Sequence, residues 1–278
     1  MKKIFSRVLH LMISVRLTGL ATLALSSVVS VLDKRLTWAR WDGEDWEFKW
    51  SDGCLYWSSH QVRPRFVTNQ NIGSYLTMYR PKDGDVILEV GAGSGTEVGL
   101  LSNMVGPSGR VIAIEADPSA VRRLQKQAAG LRYQNVTVLG TAVGNHEGTV
   151  QLNVASADDR GSSTAAVVGD SSVAVRCTTL RDILIVLGID TVAYMKMNIE
   201  GAEYEALRGL GSEIADIETM MISCHDFTGD PAQETYQQVY DYLVSWNLQV
   251  SPMPHPKARW EEYYIFARSN SRVDSSIA

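Results

Sequence analysis

Residues 86–95 read Val-Ile-Leu-Glu-Val-Gly-Ala-Gly-Ser-Gly, an apolar run that breaks into glycine at alternate positions and opens a helical pattern near Thr96. A short strand feeding a glycine-dense turn and a helix is half of a βαβ unit, and parallel strands so connected need helices over both faces of their sheet. The rest of the chain keeps that rhythm. Residues 111–115, 136–139, 192–198, 220–225 and 264–267 read as further strands, so the alternation predicts a doubly wound α/β domain. Asp117-Pro118 and Asp230-Pro231 each place a capping carboxylate before a proline, predicting helices over 119–129 and 232–246.

Glycine lets the backbone approach a ligand closely, and a helix N-terminus offers N–H groups to a polar cofactor, although glycines also serve plain turn geometry. The spacing is G-x-G-x-G, with Thr96 where the dinucleotide fingerprint places its last glycine, which ranks a nicotinamide-dependent oxidoreductase lowest. Glu115 ends the next strand, where a carboxylate can accept bonds from two ribose hydroxyls. Glu89 is placed to hold a cofactor ammonium group.

In these residues the chain resembles the class I S-adenosylmethionine-dependent methyltransferases. A second block is similar to the FkbM family of methyltransferases, whose pattern reads K-I-D-V-E-G-A-E. It comprises Thr178-Thr179-Leu180-Arg181-Asp182-Ile183-Leu184 and Met195-Lys196-Met197-Asn198-Ile199-Glu200-Gly201-Ala202-Glu203, followed by Leu207-Arg208-Gly209. The resemblance covers residues 83–268 and implies a mostly parallel, seven-stranded Rossmann-like methyltransferase sheet with S-adenosylmethionine as cofactor. The cofactor set is then Glu89, Gly91, Gly93, Gly95, Glu115, Ala116 and Ala142. The implied reaction is O-methylation of a hydroxyl on a glycan, glycolipid or secondary-metabolite acceptor.

Where the family carries Asp this chain has Asn198, which hydrogen-bonds but cannot act as a base. That departure leaves a second reading, a membrane-tethered S-adenosylmethionine-binding protein without transfer activity. The candidate catalytic residues are Lys196, Asn198, Glu200 and His225. His225 is expected as the general base, oriented by Asp226 or Glu200, or else as a residue capping its turn, and Asn198 as a hydrogen-bonding partner of acceptor or cofactor. Glu203 reads as a charge favoured by a helix dipole. No spacing demands a metal. Gly161-Ser162-Ser163-Thr164 reads as a loop over the cofactor or as linker. His255, Lys257 and Arg259 read as a solvated loop or as groups meeting an anionic acceptor.

Residues 8–32 are the most apolar stretch. Thirteen Leu, Ile and Val outweigh Arg16 on an insertion scale of roughly −0.3 to −0.6 kcal/mol each against about +2.5 to +3.5, which predicts a membrane anchor or interfacial helix over residues 1–35. Ser, Thr or His recurs there at every fourth position, a ridge suited to helix packing. Residues 36–82 hold five of the seven tryptophans, with D-G signals at Asp42-Gly43 and Asp52-Gly53 that predict β-hairpins. Residues 269–278 form a polar tail expected to fray. A net charge of −5 without a basic block argues against nucleic acid as partner. Three widely spaced cysteines form neither a disulfide framework nor a zinc set, which fits a reducing compartment. The expected location is the cytoplasmic face of a membrane, or the cytoplasm if the helix is not inserted.

Overall fold

The computed structural model describes residues 12, 17–57, 64, 72–154 and 171–270. The 161–164 loop, residues 271–278 and most of residues 8–16 lie outside the described residues.

Helix α1 (Thr18–Leu32) lies along the first strand of an antiparallel meander, β1 (Trp38–Trp41), β2 (Trp46–Trp50) and β3 (Gly53–Trp57), whose turns fall at the two D-G signals. Ala21, Leu25 and Val29 are buried against Ala39, Trp46 and Phe48. The serine ridge packs on a strand instead of another helix. Ser26 Oγ accepts from the Ala39 N–H at 2.9 Å and donates to the Ala39 carbonyl at 3.2 Å. Ser30 treats Thr37 the same way, at 2.9 and 3.1 Å. β1 is an edge strand, so the two hydroxyls satisfy backbone groups that the helix would otherwise shield from water.

At 15 residues α1 reaches about 22 Å, short of the ~30 Å hydrocarbon core. Among the described residues no helix is long and apolar enough to cross a membrane. Within the described residues one face of α1 is used on protein, while Leu17, Leu20, Leu23 and Val31 stay exposed on the other.

The main body runs β4 (Val86–Val90), α2 (Val98–Val105), β5 (Arg110–Glu115), α3 (Pro118–Gly130) and β6 (Val136–Gly140). A small sheet follows, built from β7 (Ala142–Val143), β8 (Gly148–Val154) and β9 (Ser171–Thr178). The chain then continues through α4 (Leu180–Leu187), β10 (Val192–Met197), α5 (Glu203–Leu210), β11 (Ile217–Ser223), α6 (Tyr236–Ser245), β12 (Gln249–Pro252) and β13 (Tyr264–Arg268). The seven-stranded sheet has the order β12-β13-β11-β10-β4-β5-β6 and is parallel except for β13, which runs antiparallel to both neighbours. This is the doubly wound sheet that the resemblance implies. Strand order reverses between β4 and β10, and open α/β sheets bind ligands at the carboxyl ends of the strands at such a point.

Apolar residues line both sides of the central strands. Leu88, Val90, Met195 and Met197 join one core cluster, and Ile87, Val111, Ala113 and Tyr194 the other. Asp117 caps α3 as its sequence predicts, accepting from the Ser119 and Ala120 N–H groups. The expected helix from residue 232 begins later: Asp230 caps only the 3-10 turn Pro231–Gln233, and α6 starts at Tyr236. The Asp226 carboxylate sets that start by accepting from the Thr235 and Tyr236 N–H groups, both at 3.1 Å.

Ser26→Ala removes a donor and an acceptor from a buried edge strand. It is expected to lower stability by about 1–3 kcal/mol in urea titration, with circular dichroism showing the helix still formed.

Candidate active site

The glycine turn meets the β10–α5 loop at the carboxyl ends of β4 and β10. A Cβ on Gly91, whose φ is +75°, would stand 1.9 Å from the Asn198 carbonyl oxygen, and one on Gly95, at φ +86°, would stand 2.0 Å from Gln127 Oε1. Close approach therefore requires glycine at both. Gly93 differs: a Cβ there would meet nothing within 4 Å, so this side of the turn is open. The Gly93 N–H donates to Glu115 Oε2 at 2.7 Å, and those of Ala116 and Asp117 to Oε1 at 2.9 and 2.8 Å. A carboxylate has about four acceptor positions, so roughly one is left for a ligand hydroxyl. Burial pushes the Glu115 pKa up, against the lowering influence of those backbone bonds.

Glu89 and Lys196 are directly paired across β4 and β10. Lys196 Nζ lies 2.9 Å from Glu89 Oε1, donates to the Gly91 carbonyl at 3.0 Å and sits 5.1 Å above the Tyr75 ring. Both side chains are 3% exposed or less. Burial pushes Glu89 up to about 7 while the Lys196 ammonium opposes it. Burial also works against the charge on Lys196, yet Glu89 and Glu97 leave its pKa raised. The Glu89 carboxylate thus pairs with Lys196, and Lys196 anchors the carbonyl that opens the turn.

Asn198 Oδ1 is buried without a hydrogen-bond partner. An unmet buried acceptor costs about 1–3 kcal/mol, a cost that a ligand donor removes. An unmet acceptor on one side and an open turn over a carboxylate on the other fit a nucleoside cofactor that carries an ammonium group. Ala116 and Ala142 lie beyond β5 and β6 and share a small core cluster with Leu152, Val175 and Cys177.

Past β10 the backbone is strained. Glu200 has φ +55° and Gly201 follows at +101°. A non-glycine residue in this region costs on the order of 1–3 kcal/mol and persists where its surroundings hold it. His225 does the holding. Its Nε2 lies 3.1 Å from Glu200 Oε2 and its Nδ1 3.2 Å from Glu203 Oε1. Burial disfavours an imidazolium there, but hydrogen bonds to Glu200 and Glu203, backed by their charges, push the pKa up to about 9. Glu203 is more than a helix-dipole charge: wholly buried, it also accepts from the Ile199 and Gly201 N–H groups at 3.2 Å and from Thr235 Oγ1 at 3.0 Å.

The structure therefore places Glu200 beside His225, with Asn198 at the glycine turn, but commits Asp226 to capping α6 instead of orienting His225. Thr235 escapes sequence reasoning, since nothing in a stretch 32 positions away marks it as the partner of Glu203. His255, Lys257 and Arg259 are exposed and stand in the loop before β13.

A model of the methyltransferase FkbM domain matches residues 89–250. A protein-L-isoaspartate O-methyltransferase from Ignicoccus hospitalis is 45% identical over 56 residues, 20% of this chain and 26% of that protein. One from Fervidobacterium nodosum is 41% identical over 68 residues, 24% of this chain and 34% of that protein. The chain thus spans about a quarter to a third of the length of these curated relatives. Among solved structures, a methyltransferase FkbM from Methylobacillus flagellatus aligns with TM-score 0.49 and 21% identity, covering 69% of this chain and 45% of that one. Aeropyrum pernix fibrillarin with natively bound S-adenosylmethionine aligns with TM-score 0.45 and 13% identity, covering 81% and 93%.

Two titrations test the electrostatics. Lys196→Met strands Glu89 and is expected to cost about 3–5 kcal/mol at pH 8. Because the Glu89 pKa already stands above its ordinary value, the loss should shrink toward pH 5 as the carboxyl is protonated, which urea titration at both pH values measures. The His225 pKa is raised from 6.5 to about 9, so its stabilising contribution is full below about pH 6.5 and disappears as pH rises through 9. The stability gap between wild type and His225→Gln is expected to close over that window.

Proposed function

Because the chain belongs to the FkbM methyltransferase family, we propose that it transfers the methyl group of S-adenosylmethionine to a hydroxyl of a glycan, glycolipid or secondary-metabolite acceptor. The observation that carries this reading is the Glu200 carboxylate, gripped by His225 and two residues past Asn198, which itself abuts the glycine turn. When bound, the cofactor supplies an electrophilic methyl on a sulfonium. The chain's own work is then alignment of the acceptor and removal of the hydroxyl proton.

Asn198 Oδ1 would accept a hydrogen bond from the cofactor ammonium or the acceptor, and the remaining position of Glu115 would accept one from a ribose hydroxyl. His225 holds its proton at neutral pH, so it is a donor before it is a base. Glu200 takes the base role in its place: His225 Nε2 lies 3.1 Å from its Oε2, and its partly exposed carboxylate takes up the acceptor proton. Phe227 lies 5.4 Å from the His225 ring and 6.4 Å from Tyr263, whose ring is edge-on to Tyr236 at 6.0 Å. Such aromatic faces suit the apolar face of a sugar ring. The bare Leu face of α1, continued by the exposed Leu36 and Trp38, suits an interfacial helix lying on a bilayer from the cytoplasmic side. An acceptor presented by lipid would then be within reach.

Glu200→Gln is expected to lower methyl transfer at saturating cofactor by about 10²–10⁴-fold while S-adenosylhomocysteine affinity stays within about twofold. Mass spectrometry of methylated product reads the first and calorimetry the second; turnover near wild type would remove Glu200 from the base role. Asn198 motivates the rival reading, a cofactor-binding protein without transfer activity. Tight S-adenosylhomocysteine binding with no methylated product across glycan, glycolipid and small-molecule acceptors would favour it.

A further inference from the structure

The glycine turn rests on α3, and α3 is in turn held by the N-terminal meander. Arg123 on α3 reaches in three directions. Its Nε donates to Ser94 Oγ within the turn at 3.0 Å, its Nη2 to Ser119 Oγ at 3.0 Å, and its Nη1 to Asp45 Oδ1 at 3.4 Å. The Asp45 side chain is 2% exposed and that of Arg123 15%, so salt screens this pair far less than a surface one. Asp45 belongs to the β1–β2 turn, which Asp42 Oδ1 shapes by accepting from the Glu44 and Asp45 N–H groups at 2.9 and 2.7 Å. Lys126, one helical turn after Arg122, ties the same turn to α3 through Asp42 and Asp45 at 2.9 Å and Glu44 at 3.3 Å. Gln127, one turn beyond Arg123, stands directly beneath Gly95.

We propose that Asp45, acting through Arg123 and Ser94, is a positioning residue for the cofactor turn, so that the meander completes the cofactor site from 78 positions before the arginine it holds. This rests on the S-adenosylmethionine reading above. A guanidinium is a rigid planar fork, and fixing one arm on a buried carboxylate fixes where its other arms point. With Asp45 in place, the Nε–H is held on Ser94 and the amides of residues 93–95 are presented in one arrangement. Without it, the arginine is free to turn toward solvent and the turn loses its outer support. Lys126 binds the same hairpin, Asp45 Oδ2 included, while the bond to Ser94 is made by Arg123, so comparing the two variants separates anchoring of the meander from positioning of the cofactor.

The test is calorimetric titration of S-adenosylhomocysteine into the full chain, with a thermal melt of each variant. Asp45→Asn and Arg123→Gln are each expected to weaken binding by about tenfold. The double variant should be no weaker than Arg123→Gln alone, because both act by one route. Lys126→Met should lower the melting temperature and keep wild-type affinity. Asp45→Asn within twofold of wild type, or Lys126→Met weakening binding as much as Asp45→Asn, would overturn the proposal. Wild type that binds no S-adenosylhomocysteine would overturn the cofactor reading itself, and this proposal with it.

Discussion

Lys196 and Glu89 face each other at the centre of a sheet whose surrounding residues are apolar, and much of the site's geometry follows from that pairing. Two opposite charges removed from water repay their desolvation only if the geometry is good and the remaining donors find acceptors. Here the ammonium has the carboxylate, the Gly91 carbonyl and the face of Tyr75 around it. A slip of β10 against β4 by one residue would turn Lys196 into the opposite core and leave Glu89 alone, so the pair helps to specify the register. The register in turn sets Gly91 against Asn198 and brings the two loops of the site together.

The same division of labour recurs beyond the strand ends. Of the two carboxylates that flank His225, Glu203 is buried and engaged by backbone and side-chain donors, so its part is structural. Glu200 keeps contact with solvent on a strained backbone. One acid organises the loop, and the other is the one proposed to take the acceptor proton. Glu115 shows a milder version, with most of its acceptor capacity spent on shaping the glycine turn.

Features set by neighbouring residues were legible in the sequence. The strand into Gly91, the Asp117-Pro118 helix start and the D-G turns of the meander all depend on contacts within a few positions, and each stands where the local pattern puts it. Distant pairings were not. Periodicity tells which face of a segment is buried but not what lies across it, so the serine ridge of α1 could not announce β1 as its partner, nor Asp226 its role at α6. The reversal of β13 was not legible either, because a run of apolar residues carries no sign of its direction. The partners of Glu89 and Glu203 were out of view for the same reason: a carboxylate near a strand end shows nothing of what the fold will bring beside it.

The seam between the meander and α3 bears on where this chain can be cut. The strand–helix alternation marks out residues 83–268, yet that fragment would leave Arg122, Arg123 and Lys126 without their counter-charges. It would also uncover the side of α3 on which Cys54 packs. Including β1 without α1 would only move the fault, since the backbone of β1 would then lose Ser26 and Ser30. The smallest autonomous fragment therefore has to start ahead of Thr18, and a shorter expression boundary trades solubility for size.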